Sequence, residues 1–354
     1  MPKVRFSGTI LGPHDPHRAM RAHLMQLLYA GGWDIYNANG DQRITLANIE
    51  GKIIESDAFV FTPAATLEDM FKAVSIFVGY QTLDENLTGK PTAVLNTDGS
   101  WDRLFAVLGW LRQMGTISQQ VENFLVAVNS PDELLGTLTE LQAQGVPDAG
   151  RERHHTLAGV TGYDTPAPDD LLGNVCVFCS ATLEKQEYLA DGIAFGEALA
   201  RHRYGCVSGA GRTGIMGAVV QGTAQAGGWS GGSNVPHIIE LEGLPDGLSS
   251  FWLRPDIYTR MEVMIERSDA FVIFPGGAGT LQEFLALMIF KHQGHPMMRG
   301  KPIVIYNRLD ETTGQRFWEP LISQFQGLCQ ECDFSVANQL DEILPLVHRG
   351  LGHP

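Results

Sequence analysis

Two glycine-rich turns carry the residues best suited to chemistry. The first is Val207-Ser208-Gly209-Ala210-Gly211-Arg212-Thr213-Gly214-Ile215-Met216-Gly217, which opens a helical pattern from Ala218 to Ala226. The second is Pro275-Gly276-Gly277-Ala278-Gly279-Thr280-Leu281-Gln282-Glu283, set between an apolar run and another helical pattern. Glycine lets a backbone approach a ligand closely, and a helix start offers N–H groups without intrahelical partners. Such turns suit a phosphate. Thr280 is expected to cap the second helix and to donate to a phosphate oxygen. Glu283, one turn further in, either completes a capping box with Thr280 or faces the ligand. The first turn taken alone is a loose G-x-G-x-x-G, a pattern that also describes a plain strand-to-helix turn.

The elements that must hold these turns come from an internal duplication. Ser56-Asp57-Ala58-Phe59-Val60 recurs as Ser268-Asp269-Ala270-Phe271-Val272, followed by Pro63 and Pro275 and then by Thr66-Leu67 and Thr280-Leu281. Gly89-Lys90-Pro91 matches Gly300-Lys301-Pro302, and each leads into an apolar run ending in Asn96 or Asn307. The tails match in outline, Asn129 to Leu134 against Asn338 to Ile343. The runs Ala58–Phe61 and Ala270–Phe274 read as strands buried on both faces, followed by helical patterns at Leu67–Gly79 and Leu281–Lys291. Alternating strands and helices imply an α/β fold: two Rossmann-like, doubly wound, parallel-sheet domains. Residues 1–145 form the first, 146–170 a Pro- and Gly-rich linker, and 171–354 the second. The second copy holds extra residues before its Ser-Asp-Ala-Phe-Val strand, expected to supply another helix and strand. Both glycine turns are expected on neighbouring strands, opening one crevice at their carboxyl ends.

The 354 residues include 40 glycines, above the usual ~7% share, and they gather at these turns. The formal net charge of −15 opposes a nucleic acid partner, while backbone N–H groups still allow a small anion. No stretch reaches the ~18 apolar residues of a membrane span, and no signal peptide opens the chain, so the cytoplasm is the default. Cys176, Cys179, Cys206, Cys329 and Cys332 are odd in number, which disfavours a disulfide framework. Cys176 and Cys179 lie on a strand pattern, three apart and so on opposite faces, and read as buried structural residues rather than metal ligands.

The segment Pro275 to Glu283 resembles the PGGxGTxxE signature of the LOG ("Lonely guy") family of phosphoribohydrolases, many of them mislabelled lysine decarboxylases. The likeness extends over most of residues 174–310. Val175 to Ser180 looks like the family's first strand and turn, and Gly209 to Gly217 like its GGGxxGxMG turn. The resemblance implies that Arg260 and Glu283 are catalytic. It also implies that Ser180, Gly209, Gly211, Arg212, Thr213, Gly214, Met216, Gly217, Gly276, Gly277, Gly279 and Thr280 hold the nucleotide. Asn234 to Glu240 and Pro255 to Glu262 look closer to the nucleotide 5′-monophosphate nucleosidase branch. Met261 departs from the lysine that often follows the arginine. The implied reaction is hydrolysis of a nucleoside 5′-monophosphate to free base and ribose 5-phosphate, with no cofactor and no metal. A homodimer is also implied. Spacing alone leaves Arg260 open to a surface pairing with Asp256 or Glu262.

The first copy has lost these features. Its loop, Pro63-Ala64-Ala65-Thr66, is two residues shorter and lacks the glycines, Asn48 stands for Arg260, and Asp69 for Glu283. This half is expected not to hydrolyse nucleotides. Whether it serves as a built-in partner for the second half, or two second halves pair between chains, stays open. His237, His292 and His295 are candidate proton carriers. The competing readings are a nucleotide-binding carrier or sensor, and a pyridoxal-phosphate enzyme needing Lys185, Lys291 or Lys301 as Schiff base.

Overall fold

The computed structural model describes residues 2–7, 16–37, 55–87, 89–325, 327–328 and 333–353. The chain divides into two compact units, Met1–Arg112 with Ile117–Arg151, and Gln113–Thr116 with Glu152–Pro354. Both are layered α/β structures with all-parallel sheets. Among the described residues no helix is long and apolar enough to cross a membrane.

Unit 1 has strands β1 (Lys3–Ser7), β2 (Asp34–Asn37), β3 (Ala58–Phe61), β4 (Thr92–Leu95) and β5 (Val126–Val128) in the order β2-β1-β3-β4-β5. Helices α1 (Arg18–Ala30), α2 (Leu67–Gln81) and α3 (Asp102–Gln113) lie between these strands in the chain, and α4 (Pro131–Gln144) follows β5. Every residue of β3 and β4 is buried, as parallel strands covered on both faces require. Val4, Leu24, Leu28, Trp33, Val60, Leu95 and Leu134 form one core cluster.

Unit 2 runs β6 (Gly173–Phe178), α5 (Gln186–Arg201), β7 (Tyr204–Ser208), α6 (Gly214–Gln225), β8 (Ser230–Asn234), α7 (Pro236–Glu242) and β9 (Ser250–Leu253). It continues through α8 (Ile257–Glu266), β10 (Ala270–Ile273), α9 (Ala278–His292), β11 (Ile303–Tyr306), α10 (Glu319–Phe325), β12 (Ser335–Ala337) and α11 (Ile343–Gly350). The strand order is β12-β11-β10-β6-β7-β8-β9. The chain therefore winds outward from β6 to β9, then crosses to the other side of β6. The glycine turns follow β7 and β10, which flank β6 and are not neighbours as the sequence suggested. This reversal is a topological switch point, where the connections diverge and leave a crevice at the strands' carboxyl ends.

The duplicated sequence folds into duplicated detail. Trp101 Nε1 donates to the carbonyl of Thr62 at 2.9 Å, and Trp318 Nε1 to that of Phe274 at 3.1 Å. Asn96 Oδ1 accepts from Trp101 N, as Asn307 Oδ1 accepts from Trp318 N. In the tails, Asn129 N donates to Glu133 and Asn338 N to Glu342. The inserted stretch of unit 2 supplies β8, α7 and β9, more than the single helix and strand expected.

The segment 146–170 is bound along much of its length rather than loose. His154 N and His155 N donate to the Glu240 carbonyl, Tyr163 bridges Phe251 in antiparallel fashion, and Thr165 N donates to Ser250 Oγ. Strand β9 is the edge of the sheet, and its free backbone groups explain why a Pro-rich segment settles there. Cys176 lies in β6 and Cys179 just beyond it, both buried, and burial pushes both thiols well above their ordinary range. Cys329, Cys332 and Asn48 lie outside the described residues.

Candidate functional site

Three loops meet at the carboxyl ends of β10, β6 and β7. Phe274 N donates to the Phe178 carbonyl, Ser180 N to that of Pro275, and Met216 N to that of Ser180. These bonds tie the second glycine turn, the Ser180 turn and the start of α6 into one rim. Ser180 Oγ accepts from the N–H groups of Thr182 and Leu183, which fixes its own turn.

The second glycine turn differs from its copy in what its N–H groups do. Helix α9 begins at Ala278, with Gly277 as its extended N-cap. Thr280 is therefore the third helical residue and not the cap, because the longer glycine loop lets the helix start before it. No capping box forms with Glu283. Among the described residues, the N–H groups from Gly276 to Thr280 make no hydrogen bond. In unit 1 the shorter loop makes Thr66 the N-cap, and Thr66 and Asp69 close a full capping box. Ala64 N donates to Asp98 Oδ2 at 2.8 Å and Ala65 N to Ser100 Oγ at 3.0 Å. One copy fills these donors with its own side chains, while the other leaves a row of them open.

Glu283 lies on the first turns of α9 with 6% of its surface exposed. Among the described residues it makes no hydrogen bond and no ion pair, although a buried carboxyl ordinarily has partners. Burial pushes its pKa up to about 8; Arg260 opposes the rise and Glu242 adds to it. Arg260, on α8, does not pair with Asp256 or Glu262. Asp256 caps α8 instead, accepting from Tyr258 N and Thr259 N. Arg260 Nε donates to the Ser233 carbonyl at 2.9 Å and Nη2 to the Gly209 carbonyl at 3.1 Å. A Cβ on Gly209 would stand 2.0 Å from Nη2, so a larger residue there displaces the guanidinium from this position. Arg260 thus pins the first glycine turn in place, and its Nη1 makes no hydrogen bond among the described residues.

Other residues of the first turn face elsewhere. Thr213 Oγ1 donates to the Ala181 carbonyl, and Gly214 and Gly217 pack against the backbones of Ala181 and Arg212. Gly211 N is directed at Met216 Sδ. Arg212 is 3.8 Å from Asp246 on a groove of about 620 Å³ that also touches Gly214 and Gly217 but not Arg260 or Glu283. The three candidate lysines are held by acceptors away from Glu283: Lys185 by Asp310, Lys291 by the Asp333 carbonyl, and Lys301 by the Ile265 carbonyl. His292 pairs with Asp333 at 2.7 Å, about 13 Å along α9 from Glu283, and His295 accepts from Met297 N. Glu242, at the end of α7, is a residue the sequence reading missed. It belongs to no glycine motif, and only the fold turns α7 toward Gly211.

Fold and crevice place the chain among nucleotide-type α/β proteins whose ligand site lies at the switch point of a parallel sheet. The family model described as "Possible lysine decarboxylase" matches residues 216–349. A cytokinin riboside 5′-monophosphate phosphoribohydrolase of Rhodococcoides fascians is 31% identical over 162 residues, 45% of this chain and 76% of the relative. One of Mycobacterium tuberculosis is 32% identical over 152 residues, covering 42% and 79%. One of Arabidopsis thaliana is 31% identical over 134 residues, covering 38% and 58%. A molybdenum cofactor binding protein of Rippkaea orientalis aligns with a TM-score of 0.38 at 18% identity, over 50% of this chain and 95% of its own. The chain belongs to the LOG family, that of the cytokinin riboside 5′-monophosphate phosphoribohydrolases.

Proposed function

We propose that this protein hydrolyses the N-glycosidic bond of a nucleoside 5′-monophosphate, releasing free base and ribose 5-phosphate. The observation that carries the reading is Glu283, nine-tenths buried and without a hydrogen bond, on the same helix start as a row of open N–H groups. An unpaired buried acid costs stability, so its retention points to a ligand that supplies the partner. The names of the relatives, which act on cytokinin riboside 5′-monophosphates, support the same class of substrate.

In this reading the N–H groups of Gly276 to Thr280 grip the 5′-phosphate. Thr280 Oγ1 and Arg260 Nη1 assist. That binding, remote from the reacting carbon, positions the scissile bond. Cleavage makes the sugar oxocarbenium-like and puts negative charge on the base. With a pKa near 8, Glu283 enters as the acid at neutral pH and protonates the departing base. The carboxylate left behind faces the cationic sugar. Neutral Glu283 also avoids repelling an anionic substrate from a chain of net charge −15.

The test is incubation with AMP, GMP, CMP and N6-substituted adenosine monophosphates, assaying free base and ribose 5-phosphate. Release of base from at least one, lost in Glu283→Gln and Arg260→Ala, supports the reading. Tight binding of a monophosphate without release of base assigns the protein instead as a nucleotide carrier or sensor.

A further inference from the structure

We infer that Asn234 is a positioning residue of this site: its carboxamide holds Ala210 in the left-handed conformation that presents the Gly209 carbonyl to Arg260. The inference rests on the hydrolytic reading above and names a residue, outside both glycine motifs, that keeps Arg260 in place. The paired register of β7 and β8 ends at Ser208 opposite Gly232. Past that pair, side chains take over from the ladder. Arg260 donates to the Ser233 carbonyl through Nε and to the Gly209 carbonyl through Nη2. Asn234 Nδ2 donates to the Ala210 carbonyl at 3.2 Å. The two bridges are consecutive, joining residues 233 and 234 at the end of β8 to residues 209 and 210 of the first glycine turn. Asn234 is fully buried. Its Oδ1 accepts from Val235 N at 2.9 Å, which fixes the end of the amide that faces Ala210.

Ala210 has φ +53°, a region that a residue with a Cβ enters only when its surroundings impose it. Its N–H is directed at Ser208 Oγ at 3.3 Å, and its buried methyl packs with Ile239 and Phe251. Gly232 makes room for that methyl, since a Cβ there would stand 2.7 Å from it. The Asn234 bond adds direction to this packing, because it holds the Ala210 carbonyl toward β8. The peptide that carries the Gly209 carbonyl adjoins Ala210 through the strained torsion, so relaxing φ swings that carbonyl away from Arg260. The guanidinium is planar, and fixing Nε and Nη2 also fixes Nη1, the donor left for the phosphate. Asn234 therefore acts through Ala210 and Arg260 and itself touches no substrate. Arg260 also opposes the raised pKa of Glu283, which burial and Glu242 push up. Loosening Arg260 moves the basic limb that Glu283 sets to higher pH.

The experiment uses the full chain and the monophosphate that the parent hydrolyses best. Parent, Asn234→Ala, Ala210→Gly and the double variant are compared for kcat and KM from about pH 6 to 10, with thermal midpoints as a check on folding. Asn234→Ala is expected to raise KM by roughly tenfold or more, with a smaller change in kcat, and to move the basic limb of kcat/KM upward. In the Ala210→Gly background the same substitution should raise KM by roughly threefold at most, because glycine holds a positive φ without help. Asn234→Asp keeps the size but sets an acceptor against the Ala210 carbonyl, and it carries the same comparison if Asn234→Ala does not fold. A folded Asn234→Ala with parent-like KM and an unmoved basic limb overturns the inference while the hydrolytic reading stands. A loss of equal size in both backgrounds also overturns it, since that is the mark of a residue that only fills space. A parent that releases no base from any monophosphate sinks the hydrolytic reading, and the inference with it.

Discussion

Glu283 and Asp69 hold equivalent places in two copies of one sequence and have opposite fates. Asp69 accepts from Thr66 N at 3.1 Å and Thr66 Oγ1 at 2.7 Å, and is fully employed as a cap residue. Glu283 is buried without such bonds, and its raised pKa follows. Between pH 4.5 and about 8 the unfolded chain ionises this group while the folded chain keeps it neutral. Its contribution to stability is complete below pH 4.5 and is lost as pH rises through 8. Glu283→Gln should therefore gain in thermal midpoint relative to the parent as pH goes from 5 to 8.5, measured by calorimetry. A constant offset across that range contradicts the assigned pKa. The same acid predicts that kcat/KM falls above pH 8 in the parent.

Helix α9 shows how a loop two residues longer changes the use of a helix start. A Cβ on Gly276 would stand 2.1 Å from Thr280 Oγ1 and one on Gly277 2.9 Å from the Thr116 carbonyl, so the glycines leave room for a helix that starts before Thr280, and the donors at its N-terminus stay open. Gly279 is the informative position: a Cβ there would meet nothing within 4 Å. Gly279→Ala should leave the thermal midpoint unchanged or raise it, since alanine is the better helix former by up to about 1 kcal/mol. It should also raise KM for the monophosphate at least several-fold by crowding the phosphate. An unchanged KM would place the phosphate elsewhere. In unit 1, Thr66→Ala should cost about 1 kcal/mol of local stability, read by hydrogen exchange at the start of α2, through loss of the cap.

Across the molecule, the two units share strand order about β1 and β6, the tryptophan anchors Trp101 and Trp318, and the tail hydrogen bonds. What they do not share is the use of the donors at the second turn. With Asp98 and Ser100 occupying the donors of Ala64 and Ala65, this turn of unit 1 is closed by its own side chains. Asp69→Asn in the full chain should leave turnover within about twofold of the parent, whereas Glu283→Gln abolishes it. Saturating monophosphate at 100 times its Kd should stabilise the folded protein by about 2.7 kcal/mol. A matched loss of turnover in both variants would mean that the first unit takes part in the reaction.

The apolar runs, the glycine punctuation and the repeat were legible in the chain because each is a local property with a fixed period. Motif likeness pointed to Arg260 and Glu283, but it could not say what either side chain touches. Whether Glu283 caps a helix or stands unpaired depends on where the helix begins. That is decided by loop length and by the packing that holds Gly277 extended. The separation of the glycine turns by β6 depends on which way the chain crosses after β9, a choice made by sheet topology and not by any short segment. Glu242 lies 41 residues from Glu283 in a stretch without a motif. Only the folding of α7 onto the first glycine turn brings Glu242 within electrostatic reach of Glu283, since such coupling depends on distance in space and not along the chain.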